Sequence, residues 1–299
     1  MRFRAILNRH GGTLRTMDLE AFAAEAKQIF ADAGQVLDVH IVDGSDVAGE
    51  LKQAAADANV DVIIAAGGDG TISSAATVAF KSGKPLGVLP AGTMNLFARA
   101  IGMPLELKEA LKTIAQGKVR KIDIATANGR PFVHQFGVGV HARLVRIRDG
   151  MIFRSRMGKM MASLRAISAA VVNPPRFEVE LNGPIGRISQ TASGIIISNN
   201  PLNNAPIPVA ARLDSGLLGV YVAESVTTNE MLTLGLDVVI GRWRDNARVS
   251  EYEVPRLTLR FPQRKRGAHA VVDGELIALE REVRFELHPE ALQVVGAAP

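Results

Sequence analysis

The chain has 299 residues, of which 47 % are hydrophobic and 22 % charged, a composition typical of globular rather than disordered or fibrous proteins. It has no cysteine, which excludes disulfides and thiolate metal sites, and no apolar run reaches the ~20 residues of a membrane-spanning helix. The net charge of +5 favours anionic ligands or an anionic membrane surface, whereas 5 % aromatic residues offer few platforms for stacking bases. We therefore expect a soluble, cytoplasmic protein without a nucleic-acid partner; peripheral contact with the inner membrane face stays open.

Predicted strands and helices alternate over residues 1–127. The predicted strands are 3–7, 36–42, 61–66 and 85–89, and the predicted helices are 18–33, 47–58, 71–80 and 105–116. Such alternation is typical of βαβ units, in which the strands form a parallel sheet. We predict an α/β domain over residues 1–127 built on this sheet.

Short β-type runs recur from residue 119 onward, separated by Gly, Pro, Asn and Asp. They cover residues 122–127, 132–136, 177–181, 193–198, 218–223, 257–261, 270–272 and 283–287. This pattern is typical of an antiparallel sandwich or barrel. We predict a second, all-β domain over residues 128–299, whose last residues could return to the first domain.

A glycine-rich stretch, GGDGT at Gly67 to Thr71, follows the third predicted strand and opens a helix. Glycines there let the backbone approach a ligand, and the helix N-terminus offers unpaired N–H groups and a positive dipole end to an anion. Because a carboxylate repels a bare phosphate, Asp69 indicates a magnesium ion or a hydroxyl partner. The alternative is a purely structural turn, in which glycine supplies positive φ and Asp69 caps the helix.

Two more loops should lie near this stretch. One begins at Asn8, after the first predicted strand, and the other is PAGTMNLFAR at residues 90–99, after the fourth. Parallel strands place their carboxyl ends along one edge of the sheet, where open α/β sheets bind ligands. We therefore expect the three loops to converge. A fourth motif, VDGE at residues 272–275, on its own indicates a hairpin turn.

Taken together, GGDGT, PAGTMNLFAR, RLDSG at residues 212–216 and VDGE closely resemble the diacylglycerol kinase catalytic-domain family of bacterial lipid kinases and sphingosine kinases. The resemblance covers essentially the whole chain. It implies a nucleotide-binding α/β domain followed by a β-sandwich, with ATP in the cleft between them, an architecture shared with NAD kinases. It also implies an ATP-dependent kinase, with Mg²⁺, that phosphorylates a hydroxyl of a diacylglycerol-like or sphingoid lipid.

The resemblance further implies roles for single residues. The nucleotide would be held by Asn8, Gly67, Gly68, Asp69, Gly70, Thr71, Gly92, Thr93 and Asn95. Asp273 matches the proposed general base, with Glu275 beside it, and Asp69 would act at the phosphates directly or through magnesium. We expect Asp273→Asn to preserve the fold, since Asn suits a turn. Asp214 matches a structural magnesium ligand, although Ser215 replaces that site's second carboxylate.

The sequence departs from the family pattern at other positions too, and two alternative functions stay open. The first loop reads Asn-Arg-His-Gly-Gly instead of Asn-Pro-x-x-Gly, and Ser74 and Leu96 replace acidic residues that are common in the family. The protein could be an NAD kinase-like enzyme, although its second motif is not the usual one there. It could also be a non-catalytic nucleotide- or lipid-binding protein of the same fold. No short motif identifies the lipid acceptor. The protein could also form a homodimer, on which the motifs give no information.

A predicted helix at residues 157–172 is rich in methionine and alanine. With the basic residues Arg154, Arg156, Lys159 and Arg165 it forms a basic apolar segment that suits reversible docking on anionic lipid. Packing against the sandwich is at least as good an interpretation, because methionine commonly fills cores.

Overall fold

The computed structural model describes residues 1–149, 174–224 and 226–296. The predicted helix at 157–172 lies outside these residues. The chain divides into two compact units. The first comprises Met1–Ile124, Arg212–Asp214 and His288–Pro299, and the second comprises Ala125–Ala211 and Ser215–Leu287. Compactness does not establish independent folding, so the domain boundary after residue 127 stays a prediction.

The first unit alternates strands and helices. Its elements are β1 (Arg2–Asn8), α1 (Leu19–Asp32), β2 (Val36–Val42), α2 (Val47–Ala56), β3 (Val62–Gly67), α3 (Asp69–Ser82), β4 (Leu86–Pro90), α4 (Leu96–Ala100) and α5 (Leu107–Gln116), with a 3₁₀ helix at Leu14–Thr16. The strands pair in the order β2, β1, β3, β4, all in parallel. The predicted parallel α/β arrangement is confirmed.

The sheet changes its direction of growth at β1. The chain places β2 on one side of β1 and then β3 on the other, so the carboxyl ends of β1 and β3 flank a topological switch point. Every residue of β3 is buried, because helices cover both faces of a parallel sheet. This buried strand holds the start of GGDGT at the sheet edge.

The second unit is mainly antiparallel. Its strands are β6 (Arg130–Phe132), β7 (Gln135–Gly139), β8 (Phe177–Gly183), β9 (Gly186–Ser198), β10 (Leu218–Glu224), β11 (Val249–Val254), β12 (Arg256–Arg260), β13 (His269–Val272) and β14 (Glu275–Ala278). Its helices are α6 (Val140–Asp149) and α7 (Thr228–Val239), with a 3₁₀ helix at Trp243–Asp245. Two long strands, β5 (Lys118–Ala127) and β15 (Glu282–Gly296), contribute residues to both units. The predicted β-sandwich is confirmed.

An aromatic and aliphatic core fills the second unit. The rings of Phe136 and Phe285 meet edge to face, with centroids 4.9 Å apart, among buried Val, Leu and Ile side chains. The predicted strand at 132–136 is wrong in one respect, because residues 133 and 134 interrupt it and separate β6 from β7. The helices α4, α6 and α7 and the strands β11 and β14 were not predicted. No helix in the described part of the chain is long and apolar enough to cross a bilayer.

Candidate functional site

Three loops of the first unit meet at the carboxyl edge of its sheet. The Nδ2 of Asn8, at the end of β1, donates to the Oγ1 of Thr71 at 3.1 Å. The Ala91 backbone accepts from the Thr13 N–H at 2.9 Å and donates its own N–H to the Gly67 carbonyl at 3.0 Å. The predicted convergence of the loops after β1, β3 and β4 is therefore confirmed.

The glycines of these loops serve close packing rather than left-handed turns. None of Gly67, Gly68 and Gly70 has a positive φ, so the turn interpretation is wrong on that point. A Cβ on Gly67 would lie 2.6 Å from the Thr71 Cβ, and one on Gly92 would lie 2.6 Å from the Gly68 Cα. A Cβ on Gly70, by contrast, would meet nothing within 4 Å. Packing thus requires Gly67 and Gly92 but leaves the choice of glycine at position 70 unexplained.

Asp69 joins two of these loops through hydrogen bonds. Its Oδ2 accepts the Asn95 N–H at 3.1 Å and its Oδ1 accepts the Leu96 N–H at 2.6 Å. Asp69 therefore caps α4, whereas its own helix, α3, has Gly68 at the N-cap. The capping alternative is right about the chemistry and wrong about which helix is capped. An α-helix has no internal acceptors for its first N–H groups. The N–H groups in the first turn of α3 are therefore of the kind that can donate to an anion.

Asn95 is fixed by backbone and side chain together. Its φ of 52° is left-handed, a conformation that Asn tolerates better than most residues. The side chain accepts the Gly92 N–H at 2.8 Å and donates Nδ2 to the Gly92 carbonyl at 3.1 Å. These two hydrogen bonds close the second loop, so Asn95 determines the shape of the loop that Asp69 holds.

Asp43 is a residue at this edge that the sequence analysis missed. It follows β2 directly and pairs with both basic residues of the first loop, at 3.2 Å from Arg9 Nε and 3.3 Å from His10 Nε2. An aspartate directly after a predicted strand was the available signal. The ion pair with Asp43 means that the positive charge of Arg9 is partly compensated at this edge of the sheet.

Asp273 lies in the second unit, at the predicted hairpin turn between β13 and β14, which is confirmed. Asp273 and Gly274 both have positive φ, 46° and 85°, as in a type I′ turn. The Asp273 carboxylate accepts backbone N–H groups from the segment between β6 and β7. The donors are Val133 at 2.9 Å, His134 at 2.9 Å and Gln135 at 3.0 Å. Asp273 thus anchors a neighbouring segment, and Asn, which offers one carbonyl oxygen, cannot accept all three N–H groups in the same way.

Glu275, two residues on, has a different environment. Its Oε2 lies 2.6 Å from Arg130 Nη2, and its side chain is 69 % exposed. An exposed ion pair of this kind contributes little to stability. Glu275 therefore has a more exposed carboxylate than the tightly held Asp273.

The surroundings of Asp214 do not fit a structural magnesium ion. Its Oδ1 pairs with Arg212 Nε at 3.0 Å, and both side chains are well exposed. This hydrogen bond raises the pKa of Arg212. Ser215 Oγ accepts Asn200 Nδ2 at 2.8 Å instead of facing a cation. Among the described residues, no group of three or more His, Asp or Glu side chains is placed to hold a metal ion.

Two family models match the chain. One is the diacylglycerol kinase catalytic domain, over residues 2–127, and the other is the YegS C-terminal NAD kinase beta sandwich-like domain, over residues 135–296. A diacylglycerol kinase of Bacillus subtilis is 25 % identical over 286 residues, which cover 89 % of this chain and 91 % of that protein. An uncharacterized protein of Synechocystis sp. is 31 % identical over 78 % of this chain, and the chain spans 54 % of that relative's length.

Solved structures show the same fold. A crystal structure of a diacylglycerol kinase from Bacillus anthracis has a TM-score of 0.73 at 18 % identity, covering 99 % of this chain and 97 % of the other. A further crystal structure from that organism has a TM-score of 0.79 at 21 % identity, with 99 % and 95 % coverage. The two family models together span most of the chain in the order that the motifs implied. The chain therefore belongs to the diacylglycerol kinase catalytic-domain family, which confirms the resemblance of its four sequence motifs.

Proposed function

We propose that the protein is an ATP-dependent lipid kinase that transfers the γ-phosphate to a hydroxyl of a diacylglycerol-like or sphingoid lipid. The observation that carries this proposal is the start of α3, which lies at the switch point between β1 and β3 with GGDGT at its first turn. Helix N-termini at such points are anion-binding sites in open α/β sheets. Family membership supports a lipid as the acceptor.

Each group at this edge has a proposed task in binding the phosphates. The N–H groups of Gly70 and Thr71, in the first turn of α3, would face phosphate oxygens. The Thr71 hydroxyl accepts from Asn8 and so retains its own proton for donation to a phosphate. The open surroundings of Gly70 support close approach of a ligand, because packing alone does not require glycine there. Magnesium would arrive with ATP, as part of the substrate, and neutralise charge on the phosphates.

Asp69 and Asp273 stay proposals with revised tasks. Asp69 would act mainly by holding the second loop against the first turn of α3, since both its oxygens accept backbone N–H groups. Asp273 is the proposed general base for the lipid hydroxyl, and the three N–H groups that it accepts would orient it. Glu275 is the alternative base, because its exposed carboxylate is paired only with Arg130 among the described residues.

The test is phosphate transfer from radiolabelled ATP to a panel of lipids in mixed micelles. We expect labelled diacylglycerol or sphingoid product. NAD belongs in the same panel, because the second family model describes an NAD kinase beta sandwich-like domain. Labelled NAD without labelled lipid would overturn the proposal in favour of an NAD kinase. ATP binding by calorimetry without turnover on any acceptor would support a non-catalytic binding protein.

Peripheral contact with a membrane belongs to the same proposal, since the acceptor resides in a bilayer. A cytoplasmic location and a homodimer stay predictions. Gel filtration with light scattering would test the homodimer separately from activity.

A further inference from the structure

Helix α7 carries apolar side chains on two opposite faces. Its inner side packs on the core of the second unit, where Met231 is buried and Leu234 contacts the cluster of Leu202, Tyr221 and Trp243. Its outer side exposes Leu232, Leu236, Val239 and Ile240, which we call the α7 outer face. Their exposed fractions are 51, 64, 68 and 59 %. The spacing of i, i+4, i+7 and i+8 puts these four side chains on one stripe of the helix.

The α7 outer face carries much of the exposed apolar surface of the described residues. Of the eleven large hydrophobic side chains that are exposed in the described chain, five lie at residues 232–240. The patch continues across the end of the helix, because Gly241 lies against Pro206 and the adjacent Ile207 is also exposed. Single exposed hydrophobics are ordinary, whereas a contiguous patch marks an interaction surface. A capping box of Thr227 and Glu230 fixes the start of this helix.

We propose that the α7 outer face docks the protein on the interface of a phospholipid bilayer by burying its apolar side chains among the headgroups and upper acyl chains. This inference rests on the proposed function, because it assigns the surface that brings the kinase to its lipid. Amphipathic helices bind membranes in this way, parallel to the surface, with strength that follows the apolar area buried. Four side chains on one stripe suffice for such contact because a fluid bilayer needs no matching shape.

The charges around α7 select an apolar rather than an electrostatic mode of docking. The helix contains no Lys or Arg. The three arginines that follow it are each paired with a carboxylate. Arg242 lies 3.4 Å from Asp245, Arg244 pairs with Glu251, and Arg248 lies 2.5 Å from Glu230. Docking should therefore need no anionic lipid and should respond little to salt.

The size of the patch argues against a second copy of the chain as the occupant. A stable protein–protein interface takes about 800 Å² and roughly 20–30 residues from each partner. The α7 outer face offers four side chains, with Val238 and Ile207 at its margin. A bilayer is the partner that suits so small an apolar surface.

The experiment is sedimentation of the full chain with neutral phosphatidylcholine vesicles at low and high salt. We expect binding at both salt concentrations. The double variant Leu232→Ser, Leu236→Ser should lower the partition coefficient by about tenfold for each leucine, consistent with partial burial of a large apolar side chain. Val36→Ser with Leu105→Ser is the matched control, because these residues are exposed hydrophobics of the first unit, away from the patch in sequence. The control should bind like the wild type.

Several outcomes would overturn the proposal. Equal binding of wild type and double variant would exclude the α7 outer face, and binding only to anionic vesicles at low salt would assign docking to basic residues elsewhere. A wild-type dimer that the double variant abolishes in sedimentation velocity would make a second copy the occupant. A large fall in melting temperature of the double variant would mean that the chain itself covers this face.

A second variant keeps the proposal testable if the double variant folds poorly. Leu236→Trp adds an indole at the centre of the patch, and its emission should shift to the blue and be quenched by brominated phosphatidylcholine. No quenching would overturn insertion. The lipid panel then separates the two proposals, because vesicle binding without any lipid phosphorylation would remove the kinase function and leave the docking surface in place.

Discussion

The protein places an aspartate directly before a glycine in two motifs, GGDGT of the first unit and VDGE of the second, and the two carboxylates are used in the same way. Asp69 accepts two backbone N–H groups and Asp273 accepts three, each from a segment distant in sequence. The difference lies in what remains around them. GGDGT starts a helix whose first N–H groups point to no internal acceptor, whereas VDGE forms a tight hairpin. An aspartate that precedes a glycine in such a motif can thus organise a site without itself contacting the phosphate.

The largest expected effect is that of Asp273→Asn, which tests whether this carboxylate is a base as well as an anchor. The amide nitrogen cannot accept the third N–H, and leaving that donor without a partner should cost about 1–3 kcal/mol in the free energy of unfolding. Loss of a positioned base should also lower turnover by about 10²–10⁴-fold in the lipid kinase assay. Chemical denaturation and steady-state kinetics measure the two effects separately.

The pH profile of kcat distinguishes the two roles. If Asp273 is the base, its acidic limb should disappear in Asp273→Asn, whereas an anchor alone would leave that limb in place at lower amplitude. Glu275→Gln is the matched comparison, because it removes the carboxylate of the alternative base and its exposed ion pair with Arg130. Full turnover in Asp273→Asn would move the search for a base to Glu275.

The next effect concerns the packing of the two loops in the first unit. Gly92→Ala would place a methyl group 2.6 Å from the Gly68 Cα, a backbone atom that can move only with its strand and helix. We expect a loss of about 1–3 kcal/mol in the free energy of unfolding, typical of overpacking. Thermal or urea unfolding measures it directly. Unchanged stability would show that these loops do not depend on each other.

Gly70→Ala is the counterpart of that variant, since a Cβ at position 70 meets nothing within 4 Å. The free energy of unfolding should rise by less than about 1 kcal/mol, because alanine is favoured over glycine in helices. ATP affinity, measured by calorimetry, should nevertheless fall, since the methyl group would stand where the proposed phosphate approaches. Wild-type ATP affinity in this variant would argue against the first turn of α3 as the phosphate site.

The sequence predicted the parts of this comparison that depend on local pattern. Strand and helix periodicity placed β1 to β4 in one parallel sheet, and strand ends placed three loops at one edge. The hairpin at Asp273 also followed from its turn residues. Helix α7 was missed although Thr227 and Glu230 spell a capping box, because its leucines lie on both faces and gave no single stripe.

The hydrogen-bonding roles of Asp69 and Asp273 could not be predicted from the local sequence pattern. The partners of Asp69 lie 26 and 27 residues away, and the farthest partner of Asp273 lies 140 residues away. Hydrogen bonds over such separations depend on how the sheets assemble, which no short motif states. Lys84 makes the same point, because its Nζ donates to the backbone carbonyls of Ala54 and Val60 near the end of α2. Lys84 follows Gly83, as the lysine of a phosphate-binding P-loop follows a glycine, but the rest of that motif is absent and these carbonyls hold the lysine.

The effect expected for Asp69→Asn lies between those of Gly92→Ala and Gly70→Ala. The amide can still accept one of the two N–H groups of Asn95 and Leu96 but not both in the present geometry. We expect a stability loss of about 0.5–2 kcal/mol, the range for weakening a helix cap. If Asp69 also acts on the nucleotide, ATP affinity should fall by more than this structural change accounts for. Comparison with Asp69→Glu, which keeps the charge on a longer side chain, separates the two contributions.

The smallest effect concerns a third aspartate, Asp38, whose partners are charged side chains rather than backbone N–H groups. Its Oδ2 lies 2.9 Å from both Arg4 Nε and His40 Nε2, and Arg4 also reaches Asp57 at 2.9 Å. Burial raises the pKa of Asp38, but the hydrogen bonds and charges of His40 and Arg4 outweigh it and lower the pKa below its ordinary value. The Asn59 backbone hydrogen bond and Arg4 likewise lower the pKa of Asp57.

A carboxyl group whose folded pKa is lowered stabilises the protein above its unfolded pKa, and this stabilisation is lost as the pH falls through the folded value. We therefore expect the melting temperature of the wild type to decrease as the pH is lowered below about 4, where carboxylates take up protons. Arg4→Met should have a shallower acid dependence, and its difference from the wild type should vanish once both carboxyl groups are protonated. Arg187→Met, which removes a well exposed arginine from its ion pair with Glu180, should follow the wild-type curve at every pH. If Arg4→Met also follows that curve, the pairing of Arg4 with Asp38 and Asp57 adds nothing to stability. The aspartates that stabilise the protein would then be those that accept backbone N–H groups.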